Sequence, residues 1–173
     1  MSGHPGGLRR ALAAMGTRFE VVVAGAPGPL AAAAADEAVA RIAELHARWS
    51  RFDAASVVSG VNRAARARPV RVEAETFALL RLAKGISGAS GGAFDPTLSG
   101  RMNMVELDEA ELTVRFGAPD LALDLGAIAK GAAIDAAAAV LREAGVPGAL
   151  VHGGTSSVWA VGRDAGGAPW RVR

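Results

Sequence analysis

The sequence predicts an α+β fold: a largely antiparallel sheet with helices packed on one face. Three observations predict it. Alanine-rich segments place their larger apolar residues at helical spacing. Short β-branched runs, bounded by glycine and proline, have strand composition. The resulting order, β–α–α–β–β–α–β–β–β, departs from the strict strand–helix alternation of a parallel sheet.

Residues 1–14 contain Gly, Pro and Arg and read as a flexible segment ahead of a single domain over 15–173. RFEVVVA at 18–24 is a strand, and Gly25-Ala26-Pro27-Gly28-Pro29 is a turn. Residues 30–49 form a helix with Val39, Ile42, Leu45 and Trp49 along one stripe. Residues 50–62 are polar and irregular. A second helix covers 73–87, with Phe77, Leu80, Leu82 and Ile86 on or near one face, and the Gly/Ser-rich stretch 87–92 breaks it. Residues 94–97 are extended or turned, because Asp95 precedes a proline that disfavours the α region. Short strands are expected at 111–116 and 121–125. A third helix follows at 128–144, with Ile128, Ile134, Val140 and Leu141 as its larger apolar residues; Gly145 stops it and Pro147 lies just beyond. Strands at 149–151 and 157–161 flank Gly153-Gly154, and another strand begins at Trp170. No fixed-period repeat is present.

Composition removes several function classes. The chain of 173 residues has no cysteine, which excludes disulfides, thiolate catalysis, iron–sulfur clusters and Cys-ligated zinc. His4, His46 and His152 are too few and too scattered for a His-only metal site. No apolar run approaches the ~18–20 residues of a membrane span. Arg9 and Arg10 are not followed by an apolar run of signal-peptide length, so a soluble, cytoplasmic protein without a membrane span is expected. Net charge is only +2. Arg63, Arg66, Arg68 and Arg71 make one dense basic stretch. No stacking residue lies between them, aromatics are 5% and Tyr is absent, which favours a solvated turn over a nucleic-acid patch.

Four stretches carry chemistry. In LDLGAIAKG (123–131), a strand ends in an acid, a glycine bends the chain and a helix begins. Exposed N–H groups and the helix dipole suit a phosphate or diphosphate there. Lys130 adds a full charge, and Asp124 can bond a ligand or orient a cation. An ordinary strand–turn–helix with a surface lysine fits the pattern equally well, and neither the Walker A nor the GxGxxG spacing is present. In SGGAFDPT (90–97), two glycines permit close backbone approach, Phe94 offers a flat face, Asp95 a carboxylate and Thr97 a hydroxyl; taken alone, the stretch is a Gly-rich loop closed by an Asp-Pro turn. Met15-Gly16-Thr17 and Ser50-Arg51-Phe52-Asp53 flank the first strand and helix. Core packing suits Met15 and Phe52, and a cap or turn suits Asp53. In His152-Gly153-Gly154, the glycines make a bulge or tight connection, and the histidine reads as a core or edge residue rather than a base.

In chain order MGT, SRFD, SGGAFDPT, LDLGAIAKG followed by IDAAAAVLREAGV, the paired glycines 153–154 and G-x-P-W at 167–170 resemble the FAD:protein FMN transferases, the ApbE flavin-transferase family. The resemblance runs from Met15 to Trp170. It implies an ApbE-like fold and an enzyme that binds FAD and Mg²⁺, splits the diphosphate, places FMN on a Thr or Ser hydroxyl of an acceptor protein and releases AMP. Such chemistry rests on positioning and charge neutralisation. By the same resemblance, Met15, Phe52, Ala93, Phe94, Asp95, Asp124 and Lys130 match FAD-contacting positions, and the backbone carbonyl of Ala127 matches a metal ligand. The catalytic residue is not assigned.

The departures shape a second expectation. Family members are about twice as long, and the part after G-x-P-W that would bring further metal ligands is not in this chain. The stretch between Thr97 and Leu123 is short, and Thr155 stands where an acid usually follows the paired glycines. A fragment of the transferase, or a non-catalytic flavin- or adenine-nucleotide-binding relative, is the alternative reading.

Overall fold

The computed structural model describes residues 7–172, which fall into two compact units: 7–46 with 129–172, and 47–128.

The first unit is built on a four-stranded antiparallel sheet of order β1-β2-β6-β7: β1 Gly7–Ala14, β2 Thr17–Ala24, β6 Ala149–Gly153 and β7 Ser157–Val161. In β2, Phe19, Val21 and Val23 point to one face and are essentially fully buried. They stand opposite Gly153, Val151 and Ala149 of β6, so the pleat lines one face with apolar groups across both strands. Two helices cover that same face. The first, α1 (Pro29–Trp49), meets it where Asp36 pairs with Arg10 of β1. The last, α4 (Gly126–Glu143), meets it where the Arg142 guanidinium lies 5.8 Å from the Trp159 ring of β7. Helices on one face of an antiparallel sheet are what the sequence predicted.

Alanine decides how these helices pack. The buried stripe of α1 within this unit is Ala34, Ala35, Ala38, Ile42 and Leu45, and that of α4 is Ala129, Ala133, Ile134, Ala137, Ala138 and Leu141. Small side chains bring the helix backbone close to the sheet while keeping helix propensity high. Each fully buried Leu or Ile contributes about 1.5–3 kcal/mol. Val39, expected on the stripe, is only half-buried.

The end of α4 follows its sequence signal. Gly145 has φ +68°, its N–H donates to Arg142 O at 2.9 Å, and Val146 N–H donates to Leu141 O at 3.0 Å, which is the paired bonding of a Schellman motif. A Cβ on Gly145 meets no atom within 4 Å, so only backbone conformation opposes one. Gly145→Ala is therefore expected to cost about 1 kcal/mol, read as a lowered urea midpoint at unchanged slope.

The second unit contains α2 (Val57–Ala64), α3 (Ala74–Ala89) and a three-stranded antiparallel sheet of order β3-β5-β4: β3 Val70–Arg71, β4 Val105–Asp108 and β5 Thr113–Phe116. Val58, Val61, Phe77, Leu80, Met102, Val105, Val114, Phe116, Leu123 and Leu125 are buried. The last turn of α1 is fastened to α3 by Trp49 Nε1–H donating to Thr76 Oγ1 at 3.1 Å and by an Arg48–Glu75 ion pair at 2.7 Å.

Several local expectations are corrected. Gly7–Ala14 is a strand rather than loose, because it pairs with β2 along its whole length; residues 1–6 lie outside the described part. Residues 57–64 are helical rather than irregular. Ser56 caps this helix by accepting Ser59 N–H at 3.0 Å, and Val58 and Val61 are buried beneath it. Strand β4, unforeseen, exists through its pairing with β5. Residues 111 and 112 belong to the β4–β5 turn, where Asp108 Oδ1 accepts the N–H groups of Ala110 and Glu111 and Leu112 has φ +51°. Residues 121–125 make one isolated bridge, Leu123 to Thr97, instead of a strand. Leu82 and Ile86 face outward from α3. Residues 170–172 form no strand; Trp170 Nε1–H donates to Val161 O at 2.9 Å, and Arg173 lies outside the described residues.

Candidate functional site

The second unit brings two of the predicted stretches side by side. Asp124 N–H donates to Pro96 O at 2.8 Å, and Leu98 N–H donates to Ala122 O at 2.9 Å. The Asp-Pro loop and the acid-glycine bend are thus hydrogen-bonded neighbours. On the far side, the Asn62 side chain takes the place of a strand: its Oδ1 accepts Leu123 N–H at 2.8 Å and its Nδ2 donates to Leu123 O at 3.1 Å. This is why 121–125 is extended without belonging to a sheet.

Asp124 stands at the start of α4. Its Oδ1 accepts the N–H of Gly126 at 2.9 Å, which satisfies one of the donors a helix start leaves open and sets a negative charge against the positive end of the dipole. A Cβ on residue 126 would lie 3.0 Å from that oxygen, so glycine is what lets the carboxylate come so near. The second oxygen pairs with Arg51 Nε at 2.8 Å. The Arg51 guanidinium carbon also lies 4.3 Å from the centroid of the Phe52 ring, and Phe52 is 82% exposed. The core-packing reading of Phe52 is therefore overturned. Through Arg51, the structure connects Phe52 to Asp124.

Asp95 does a different job. One carboxylate oxygen accepts Thr97 N–H at 2.8 Å and the Thr97 hydroxyl at 2.7 Å; the other accepts Met102 N–H at 3.0 Å. Thr97 Oγ1 in turn accepts Arg101 N–H at 2.8 Å. The loop is therefore pinned around one half-buried carboxylate. Burial pushes its pKa up, but the Thr97 hydroxyl and the Met102 and Thr97 N–H groups outweigh burial and hold it below the ordinary aspartate value. A lowered folded pKa stabilises the fold fully above the unfolded value of about 4, and that stabilisation is lost as pH falls through the folded pKa. Asp95→Asn is expected to cost about 1–2 kcal/mol at pH 7, with the gap between parent and variant narrowing in acid below pH 4. Urea midpoints at pH 7 and pH 3 measure this.

Ahead of Asp95 the chain turns through Gly91 (φ +60°) and Gly92 (φ +83°), and Phe94 N–H donates to Ser90 Oγ at 3.1 Å. Ala93 is exposed and Phe94 half-buried on this turn. Ala127 is the second residue of α4 and is exposed. Asp53 makes the turn expected of it, accepting Ala55 N–H at 2.9 Å. Arg63 Nη1–H donates to Ala54 O at 2.9 Å, while Arg66, Arg68 and Arg71 are exposed.

In the first unit, Met15 (φ +50°) and Gly16 (φ +71°) are the two central residues of the β1–β2 hairpin, a turn of type I′. Met15 N–H donates to His46 Nδ1 at 3.2 Å, so that nitrogen carries the lone pair. The turn borders an open recess of about 400 Å³ lined by Ala14, Met15, Thr17, Arg18 and His46. His152 lies on the sheet face opposite the helices, in the interior strand β6 and half-buried, with Nε2 3.4 Å from Glu20 and Nδ1 3.3 Å from Gly154 O; it is a partnered side chain on the outer sheet face, and neither the core nor the edge reading holds. Lys130 is half-buried on α4.

The ApbE family model matches residues 15–111 and 101–173. The chain belongs to the ApbE family. A FAD:protein FMN transferase from Rhodobacter capsulatus is 30% identical over 185 residues, covering 91% of this chain and 35% of that protein. The ApbE protein from Thermotoga maritima superposes with a TM-score of 0.82 at 23% identity, covering 95% of this chain and 62% of that one. The flavin transferase ApbE from Vibrio cholerae gives 0.80 at 21% identity, over 96% and 63%. These structures share the ApbE fold with this chain. The chain thus spans about a third of the length of the curated relative and under two thirds of the first of these solved structures.

Sequence reading missed two residues of this ApbE chain's candidate site. Arg51 stood inside the quoted SRFD stretch without a role, and Asn62 lay in a segment read as irregular. The signal for Arg51 was its place between Ser50 and an aromatic residue. Nothing in the sequence near Asn62 pointed to a partner sixty-one residues away.

The expected metal meets a plain test. Among the described residues no group of three or more His, Asp or Glu side chains converges. One backbone carbonyl, that of Ala127, does not make the near-octahedral oxygen set that Mg²⁺ demands. The described residues do not fit a complete Mg²⁺ site. No described helix is long and apolar enough to cross a membrane.

Proposed function

We propose that this chain binds FAD as part of a FAD:protein FMN transferase, in which FMN passes from FAD to a Thr or Ser hydroxyl of an acceptor protein and AMP leaves. Residues 15–173 belong, in this reading, to one flavin-transferase domain. The observation that carries it is the joined pair of loops: the Asp-Pro loop hydrogen-bonded to the Asp124 bend, beside an exposed Phe52 and the N-terminal end of α4. The positive end of the α4 dipole favours a diphosphate, and an exposed aromatic face favours a flat heterocycle. FAD carries both. The likeness to the FAD:protein FMN transferase of Rhodobacter capsulatus supports the same reading.

Phe52, Ala93, Phe94, Asp95 and Asp124 are the proposed FAD contacts of the second unit, and Met15 and Lys130 those of the first. Mg²⁺ is proposed as a companion of FAD, with the Ala127 carbonyl as one ligand and no step assigned to it. In the transfer, the acceptor hydroxyl oxygen forms a bond to the FMN phosphorus as the bridging P–O bond breaks, and the hydroxyl proton leaves to solvent.

The test is thermal. FAD is expected to raise the melting temperature of this chain more than riboflavin at equal concentration, because the diphosphate adds binding energy that riboflavin lacks. Equal shifts with the two, or none with FAD plus Mg²⁺, would overturn the reading. Acid-stable flavin appearing on a Thr-containing acceptor separates transferase from a flavin-binding relative.

A further inference from the structure

Arg51 has two partners in the second unit: the ring of Phe52 and the carboxylate of Asp124. We propose that Arg51 is a positioning residue that couples a stacking platform to the cap of α4. The inference rests on the FAD reading above and adds a residue to it.

The argument is geometric. A phenylalanine left 82% exposed has no packing to fix its ring, and in water it would sample several rotamers. Here one face lies 4.3 Å from a guanidinium carbon, which holds the ring by cation–π attraction and leaves the other face open to a flat ring. The guanidinium is itself held, because its Nε donates to Asp124 Oδ2 at 2.8 Å. Asp124 is held in turn, by Gly126 N–H on its other oxygen and by its own N–H on Pro96 O. The chain of contacts runs from an open aromatic face, through one arginine, to the start of a helix. A planar heterocycle on Phe52 and a phosphate at the helix start would each feel the same arginine.

Lysine is a poor replacement in this role. It keeps the charge toward Asp124 but lacks the planar group that lies flat against a ring. Arg51→Lys therefore separates the two contacts.

The experiment is a double-mutant cycle of Arg51→Lys and Phe52→Leu, read by FAD titration through flavin fluorescence, with riboflavin and AMP as separate ligands. Both positions are exposed, and thermal melts without ligand confirm that each variant folds. Expected for each single variant is a roughly five- to tenfold rise in the FAD dissociation constant and weaker quenching of bound flavin, with an unchanged melting temperature. The double variant is expected to bind no more weakly than Phe52→Leu alone, since the arginine acts through the ring. Riboflavin should follow FAD if the platform takes the isoalloxazine ring, and AMP should follow it if it takes the adenine. Additive losses in the cycle overturn the coupling, as does Arg51→Lys binding within twofold of the parent with the same quenching. If the parent itself binds no FAD, the functional reading falls and this inference with it. A parent that binds FAD while the cycle is additive removes only Arg51's role.

Discussion

Replacing Asp124 with alanine is expected to raise the FAD dissociation constant about tenfold or more and to lower stability by about 1 kcal/mol. Two separate losses combine. The N–H of Gly126 gives up its carboxylate acceptor, which loosens the first turn of α4 where the phosphates are proposed to sit. Arg51 also loses its fixed partner. The stability term stays small because both members of the ion pair are about a third exposed, and screened pairs contribute little. Asp124→Asn keeps an oxygen that can accept Gly126 N–H but removes the charge toward Arg51, so it should fall between parent and alanine. Fluorescence titration with FAD and a urea melt on each variant measure both effects. An alanine variant that binds FAD like the parent would mean that the bend is purely structural.

Asn62→Ala is expected to be the most destabilising of the substitutions considered, at about 2–4 kcal/mol. Its amide satisfies both backbone groups of Leu123, a residue with no exposure and no strand neighbour on that side. Without it, an N–H and a C=O beside the core lose their partners, each at about 1–3 kcal/mol. Because Leu123 directly precedes Asp124, FAD affinity should fall as well, which a cap-only defect elsewhere would not cause. Asn62→Asp tests the geometry: it can still accept Leu123 N–H, but it sets a carboxylate oxygen against Leu123 O. It should recover only part of the loss. Chemical denaturation of the two variants checks this, and a cost below 0.5 kcal/mol for alanine would refute the account.

The contrast between Asn62 and Gly145 shows where sequence reading reached. Strand β2, helices α1 and α4, the Schellman stop and strand β7 are written in local patterns: a β-branched run, an apolar stripe, a glycine followed by a proline. Each depends on residues within a turn or two of one another. Helix α2 escaped because it is only eight residues long and includes two consecutive valines and a glycine, so its propensity is poor; burial of Val58 and Val61 and the Ser56 cap sustain it. Strand β4 escaped because it is an edge strand whose ladder is made with β5.

The candidate site divides the same way. Its residue types and order were legible, down to Asp95, Asp124 and the two glycine-rich loops, because turn chemistry and helix starts demand particular side chains at particular offsets. Sequence alone therefore determined the α+β class, the three longer helices and the loops of the candidate site. Tertiary structure alone decided that Asn62 stands in for a strand, that Arg51 joins Phe52 to Asp124, and that the Asp-Pro loop lies against the bend. Hydrogen bonds and ion pairs between residues dozens of positions apart have no local period, so only the folded chain reveals which groups they join.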